Sequence, residues 1–496
     1  MDFLSKINAC LLTVLPIIIF AAGIFVLIKL RFFFAVHPFA TFRGMLAGGA
    51  GENSPLRVLS VSLAGTLGVG NIVGVAVAIS LGGIGSVFWM WISALVSMVL
   101  KYAEIVLAMR YRSYSDGGCK GGPMYYMARG IGGKPGRVLA TVFCGVGVLA
   151  SFCLGNIVQV SAAADSAKRT FGLPKIIYGI IFAVLCALVI FGGFKKISSF
   201  TVVVMPLVCL IYIVLAMRII LLNLGSLPRI FSDIMQAAFT PASGASGIFG
   251  YLISGAVRHG TAKGTFSHEA GSGTAPMSHA QSAEQSASKQ GLYGIFEVFF
   301  DTIVICTMTA LVIIISGFAD SSLGSMDIVI SAFEKYYGAF SGYIFTFSMA
   351  IFAFSTVICW SYYGQCMLGY FTEKKAPVTV YLALYCLCAV AGAVMRQGLI
   401  WELADLAVAV MTSINLASVL MLTDEVALET AAFILPRLAA KRFSAAGRRK
   451  AHGKEEGLTS RIFADIIATR KKKTKMQPSF DKLSCALYGM QPQEVL

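Results

Sequence analysis

The stretch Gly65-Thr-Leu-Gly68-Val-Gly70-Asn71-Ile-Val-Gly74 decides the fold. It lies inside an apolar run from about Leu56 to Leu81, long enough to cross a bilayer. Yet it gathers four glycines and an asparagine within ten residues. Each glycine in a helix interior costs roughly 1 kcal/mol relative to alanine. In lipid, a broken helix survives only where the freed backbone is buried in protein or lines a cavity. Two readings fit. The stretch is either the unwound, ligand-holding middle of a discontinuous membrane helix, or a set of small residues that lets two helices pack closely.

The surrounding composition sets the class. Of 496 residues, 57% are hydrophobic and only 13% charged, and the mean hydropathy is +0.78. Soluble domains carry about twice that charge. Apolar runs recur at about 9–30, 56–81, 84–109, 137–165, 174–193, 197–223, 243–260, 291–317, 339–371, 376–395 and 400–422. The expectation is an all-α, polytopic membrane protein of about eleven spans. The first run lacks a small-residue cleavage site and is too long for a signal peptide, so it is expected to remain as a helix. Twelve cysteines show no zinc-site spacing, and only Cys386 and Cys388 lie close in sequence.

A net charge of +16 raises the possibility of nucleic-acid binding. More than half of it sits in one place. From Arg437 onward there are 14 Lys/Arg against five Asp/Glu. A basic end beside a membrane helix suits the cytoplasmic face and anionic lipid instead, so no nucleic-acid partner is expected. No protein partner is evident either. Basic loops orient the rest: Lys29, Arg31, Arg43 and Arg57 share a side with Arg110, Arg112, Lys120, Arg129, Lys134 and Arg137, with Lys195-Lys196, with Lys374-Lys375 and with the tail. The N-terminus is then outside and the C-terminus cytoplasmic.

With the first helix set aside, ten core spans remain. The first core span holds the glycine-rich break. The sixth, of opposite orientation, carries Gly260-Thr-Ala-Lys-Gly264-Thr-Phe-Ser-His268-Glu269-Ala-Gly271-Ser-Gly273-Thr-Ala-Pro276. Interrupted spans at matching positions of two inverted halves are the sequence mark of a secondary transporter's binding site. That expectation favours a broken helix over simple close packing. Glu104, Glu269, Glu297 and Asp301 fall within spans, where isolated charges are paired or functional.

These residues resemble the alanine or glycine:cation symporter family, sodium–amino acid symporters with a LeuT-type five-plus-five fold. The likeness reaches to about residue 425. It is carried by Gly68-Val-Gly70-Asn71-Ile-Val-Gly74-Val, Phe88-Trp89-Met90-Trp91, Gly121-Gly122-Pro123-Met124-Tyr125-Tyr126 and Gly155-Asn156-Ile-Val-Gln159. His268-Glu269-Ala270-Gly271 with Ala275-Pro276, Asp301-Thr302, Phe354-Ser355-Thr356 and Trp360-Ser361-Tyr362-Tyr363-Gly364 complete it. The chain departs from the family at His268 (usually Asn), at Ser272 and Thr274 (usually Met and Ser), and at Ile84 and Ile414 (usually Pro).

The resemblance implies sodium as the coupling ion, no organic cofactor, and a small neutral amino acid, alanine or glycine, as substrate. An amino acid is a zwitterion. Gly68, Gly70 and Asn71 are expected to offer N–H groups and a helix dipole to its carboxylate. Freed carbonyls around Ala270, Gly271, Ser272 and Gly273 are expected to accept from its ammonium, and the Gln159 amide suits either end. For sodium, the fold implies carbonyls near Thr66–Gly68 with the hydroxyls of Ser355 and Thr356. Trp360, four residues after Thr356, shares its helix face and would wall the pocket at small size.

The expected divisions are a peripheral helix and link at 1–55, inverted repeats at 56–225 and 226–425, and a basic cytoplasmic tail at 426–496. Location in the cytoplasmic membrane follows, with anionic lipid as the tail's partner. Glutamine or serine as substrate, or protons as coupling ion, are the alternatives within transport. The rival class is a membrane-embedded hydrolase. Two weak signals are set down. Gly68-x-Gly70-x-x-x-Gly74 is one residue too long for a dinucleotide fingerprint, and His268-Glu269 with His279 lacks the His-Glu-x-x-His spacing.

Overall fold

The computed structural model describes residues 2–30, 51, 53–115, 118–240, 255–395 and 397–446. The chain divides into two units, Met1–Glu429 and Thr430–Leu496. The spans and the site belong to the first. Of the second, only the helical stretch 430–446 is described, so the rest of the expected basic tail lies outside the described residues, as do 31–50 of the expected link and 241–254 at the head of the seventh apolar run.

The described residues are overwhelmingly helical. Helix α1 (Asp2–Lys29) precedes the first broken span, α2 (Pro55–Thr66) and α3 (Val73–Gly82), and then α4 (Ser86–Arg110). An all-α chain was expected, but β1 (Ser113–Ser115) and β2 (Gly118–Lys120) form a small antiparallel hairpin before α5 (Pro123–Tyr126), with Tyr114 opposite Cys119. Helix α6 (Gly133–Phe152) passes through a π turn at Cys153–Ile157 into α7 (Val158–Phe171). Then come α8 (Lys175–Ile190), α9 (Gly193–Leu222) and α10 (Leu227–Ala238). The second broken span is α11 (Gly255–His268) and α12 (Ala275–His279). Helix α13 (Ala287–Val298) runs through a π turn at Phe299–Cys306 into α14 (Thr307–Ser316). The order ends with α15 (Ser325–Tyr337), α16 (Phe340–Phe371), α17 (Lys375–Val394), α18 (Gln397–Met421) and α19 (Thr423–Ala446).

Among the described residues, seven helices are long and apolar enough to cross a membrane. The two broken spans escape that count because their pieces have only 12, 10, 14 and 5 residues. Local signals set the ends: Ser54 caps α2, accepting from the Arg57 N–H at 3.4 Å ahead of Pro55, and Ser286 caps α13. Helix α4 is the most enclosed, 78% of its apolar window being buried, against 33% for α9 and α17. Helix α4 therefore stands inside the bundle. Helices α9 and α17 turn residues such as Val203, Leu210, Leu384 and Leu387 outward, as lipid-facing spans do.

The broken spans run side by side and antiparallel. A Cβ on Gly70 would lie 3.1 Å from the Phe266 ring, while at the far end Gly255 approaches the Gly82 backbone. The second break is shorter than expected. Helix α11 continues through Gly260 and Gly264 as far as His268. Both glycines serve close packing instead: a Cβ on Gly260 would fall 2.4 Å from the Ser86 carbonyl, and Gly264 faces Met90.

Candidate functional site

At the first break the helix ends at Thr66, Leu67 swings to ψ 89°, and one 3-10 turn at Val69–Asn71 precedes α3. Side chains of this span and of its neighbours take the freed groups. The Val69 N–H donates to Gln159 Oε1 at 3.0 Å, and the Gly68 N–H to Asn71 Oδ1 at 3.0 Å. Thr356 Oγ1 donates to the Ala64 carbonyl at 3.1 Å and approaches that of Leu67 at 3.5 Å. Gly68 sits against both partners: a Cβ there would come within 2.6 Å of Thr356 Oγ1 and 2.8 Å of Gln159 Oε1. The carbonyls that meet Thr356 are those of Leu67, within the expected Thr66–Gly68 stretch, and of Ala64, two residues before it. Thr66 turns its hydroxyl back onto the Ser62 and Leu63 carbonyls, a common habit of threonine in membrane helices. The Ser355 hydroxyl is buried, with no hydrogen-bond partner among the described residues.

The second break spans Glu269 to Thr274. Gly271 (φ 89°) and Gly273 (φ 82°) supply left-handed turns that glycine tolerates, and Glu269 (φ 50°) does so without that freedom. The Gly271 N–H donates to Glu104 of α4, and its carbonyl accepts from Asn415 Nδ2 at 2.9 Å. Asn415 accepts in turn from the Tyr126 hydroxyl. Ala270 packs against Ala94 and Val298, while Gly273 faces Pro123 and Phe143. Ser272 Oγ donates to the Glu269 carbonyl at 2.5 Å. The Glu269 carboxylate accepts from Thr274 Oγ1 at 2.6 Å and from Trp360 Nε1 at 3.0 Å. Trp360 is fully buried against Gly155 of the α6–α7 π turn, where any Cβ would collide with it. At His268, where the family usually has Asn, the ring Nδ1 accepts from the Ala270 N–H at 3.0 Å and so caps the break.

Asp301, on the π turn at Phe299–Cys306, ties the breaks together. It accepts from Asn71 Nδ2 at 2.6 Å, Ser267 Oγ at 2.8 Å and Thr302 Oγ1 at 2.8 Å. The two motifs Gly155-Asn156 and Asp301-Thr302 both fall on π turns, which cluster at functional sites.

The sequence reading noted Glu297 but missed its partner. Lys101 lies 3.2 Å from Glu297, both side chains fully buried, and its ammonium donates to the His268 carbonyl at 2.9 Å. Glu297 also accepts from Ser62 Oγ at 2.8 Å and from His279 Nε2 at 3.2 Å; Gln290 on the other ring nitrogen fixes that tautomer. Lys263 pairs likewise with Asp405 at 3.0 Å. The available signal was a Lys-x-x-Glu at 101–104 amid apolar residues.

An antiparallel pair of broken spans inside a helical bundle, each break dressed by side chains of neighbouring spans, defines a multi-pass membrane transporter of LeuT type. The solved structure of MhsT in complex with L-phenylalanine shares this fold, with a TM-score of 0.50 at 15% identity over 77% of this chain and 88% of that one. Residues 1–442 match the sodium:alanine symporter family, and the chain belongs to it. It is 35% identical to the sodium/alanine symporter AgcS of Methanococcus maripaludis, covering 87% of this chain and 98% of that protein. It is 30% identical to the probable sodium/glutamine symporter GlnT of Bacillus subtilis, over 83% and 86% of the two chains.

Proposed function

We propose that the protein is a sodium-driven symporter of a small neutral amino acid, alanine or glycine, working across the cell membrane by alternating access. The observation that carries this is the oxygen cluster at the first break. Thr356 Oγ1 bridges toward the Ala64 and Leu67 carbonyls, and the orphan Ser355 hydroxyl is buried on the same helix. Neutral oxygens from a half-helix end and a neighbouring span suit a hard monovalent cation. The amino acid's carboxylate would take the N–H groups of Gly68, Val69 and Gly70, displacing the amides of Asn71 and Gln159 that hold two of them now. Trp360 would close the pocket over a short side chain, beside the second break at Ala270–Gly273. Because ion and substrate share the first break, each favours binding of the other.

The same reading keeps eleven spans, with inverted repeats at 56–225 and 226–425, an N-terminus outside and a cytoplasmic tail that meets anionic lipid. Thr356→Ala tests it. In proteoliposomes the sodium concentration for half-maximal alanine uptake should rise about tenfold, the effect of roughly 1.4 kcal/mol, while the ranking of competing amino acids stays fixed. Unchanged sodium stimulation would remove the sodium assignment. Trp360→Leu should instead admit bulkier competitors with little change in sodium dependence, and a substrate range as narrow as wild type would exclude Trp360 from the pocket.

The likeness to GlnT supports a second reading, glutamine as substrate. Competition of labelled alanine uptake by glutamine, with choline replacing sodium as control, separates the two.

A further inference from the structure

Glu269 is the only non-glycine residue with a positive φ among the described residues. A side chain held there costs of order 1–3 kcal/mol and persists where the surroundings enforce it, commonly at ligand sites. What the strain accomplishes is visible. It aims a carboxylate, 5% exposed, between Thr274 Oγ1 and Trp360 Nε1 at the second break. Both donors are neutral. The two buried lysines are committed elsewhere, Lys101 to Glu297 and the His268 carbonyl, Lys263 to Asp405. Glu269 is therefore left without a cation of its own among the described residues.

The carbonyls that the sequence offered to a substrate ammonium are in part already taken. That of Gly271 accepts from Asn415, and the carbonyl of Glu269 just before them accepts from Ser272. Two of the four residues expected to supply them, Ala270 and Gly273, pack toward neighbouring scaffold. An acceptor with spare capacity at this break is the Glu269 carboxylate, two of whose lone-pair sites are filled. It is bonded to the indole of Trp360, on the helix that carries Thr356 one turn earlier, and Thr356 touches Gly68. Trp360, proposed above to close the pocket, thereby holds the acid beside it.

We propose that Glu269 is a substrate-binding residue whose carboxylate is the counter-charge for the α-ammonium of the transported amino acid. This rests on the symporter reading above and names the group that selects an α-amino acid over an analogue of the same size that lacks the ammonium. Burying a lone carboxylate in a membrane protein is costly, and a ligand that brings the missing cation is favoured by that cost. Thr274 and Trp360 then orient the acid and keep it from collapsing onto the backbone.

The test measures binding to purified, reconstituted protein with two probes, alanine and lactate, the latter carrying a hydroxyl where alanine carries its ammonium. Wild type should prefer alanine. In Glu269→Gln, alanine affinity should fall about 30-fold or more, the scale of a buried charge pair that loses one member, while lactate affinity changes less than about threefold. Glu269→Asp keeps the charge and should retain most of the preference for alanine. An equal loss for both probes in Glu269→Gln, or no loss for alanine, overturns the proposal. Should Glu269→Gln fail to fold, Glu269→Asp decides: a preference for alanine kept within about tenfold of wild type supports the charge, and its disappearance with alanine binding otherwise intact refutes it. Wild-type protein that binds no alanine would instead sink the symporter reading, an outcome separate from either variant.

Discussion

Lys101→Met is expected to destabilise the folded protein by about 3–5 kcal/mol, and the double variant Lys101→Met/Glu297→Gln to recover most of that loss. Removing the lysine alone strands the Glu297 carboxylate in a fully buried site and frees the His268 carbonyl at the end of α11. Ser62 and His279 still donate to Glu297, but neither brings a fixed positive charge. Replacing the acid as well removes the stranded charge, and a glutamine still offers an oxygen to Ser62. The pair joins α2, α4, α11, α12 and α13, so its loss should disturb both broken spans at once. Thermal unfolding in detergent, followed by a fluorescence or size-exclusion readout, checks the order of the three proteins. A single variant as stable as the double would mean that the pair contributes no net charge compensation.

The ion pair also marks where the sequence stopped being informative. Both breaks were legible because glycine clusters within apolar runs leave few physical alternatives. Their partners were not. Lys101 and Glu297 are 196 positions apart, and no local pattern says that one will meet the other. Gly260 and Gly264 looked like part of the second break but lie in intact helix, because a glycine that admits a neighbouring backbone and one that adopts a left-handed turn read alike in sequence. The choice between Thr66 and its neighbours as the carbonyl source turned on helix phase. Thr356 of α16 meets the carbonyls of Ala64 and Leu67, three residues apart. Asn415 and Tyr126 hold the Gly271 carbonyl through a chain of two side chains; Tyr126 closes a motif quoted above, but nothing local paired it with Asn415, 289 positions on.

Gly68→Ala is expected to lower sodium-driven alanine uptake by at least about 100-fold, whereas Gly74→Ala, six residues on in the same span, should leave it near wild type. The contrast isolates close approach from conformational freedom. Gly68 has φ −139°, a value open to alanine, so the backbone itself does not forbid the change. The added methyl would instead meet Thr356 Oγ1 at 2.6 Å and Gln159 Oε1 at 2.8 Å. Both side chains must move, and the Val69 N–H and the Ala64 carbonyl lose their partners together. Each such loss in a buried site costs about 1–3 kcal/mol, which applied to ion and substrate sites together gives the expected two orders of magnitude. At Gly74 a Cβ meets nothing within 4 Å, and the residue lies inside α3, where alanine is the better helix former by roughly 1 kcal/mol. The measurement is initial uptake per folded protein in proteoliposomes with an imposed sodium gradient. Full activity in Gly68→Ala would show that the groups facing this glycine are scaffold, and the transported ion and amino acid would have to be sought elsewhere in the bundle.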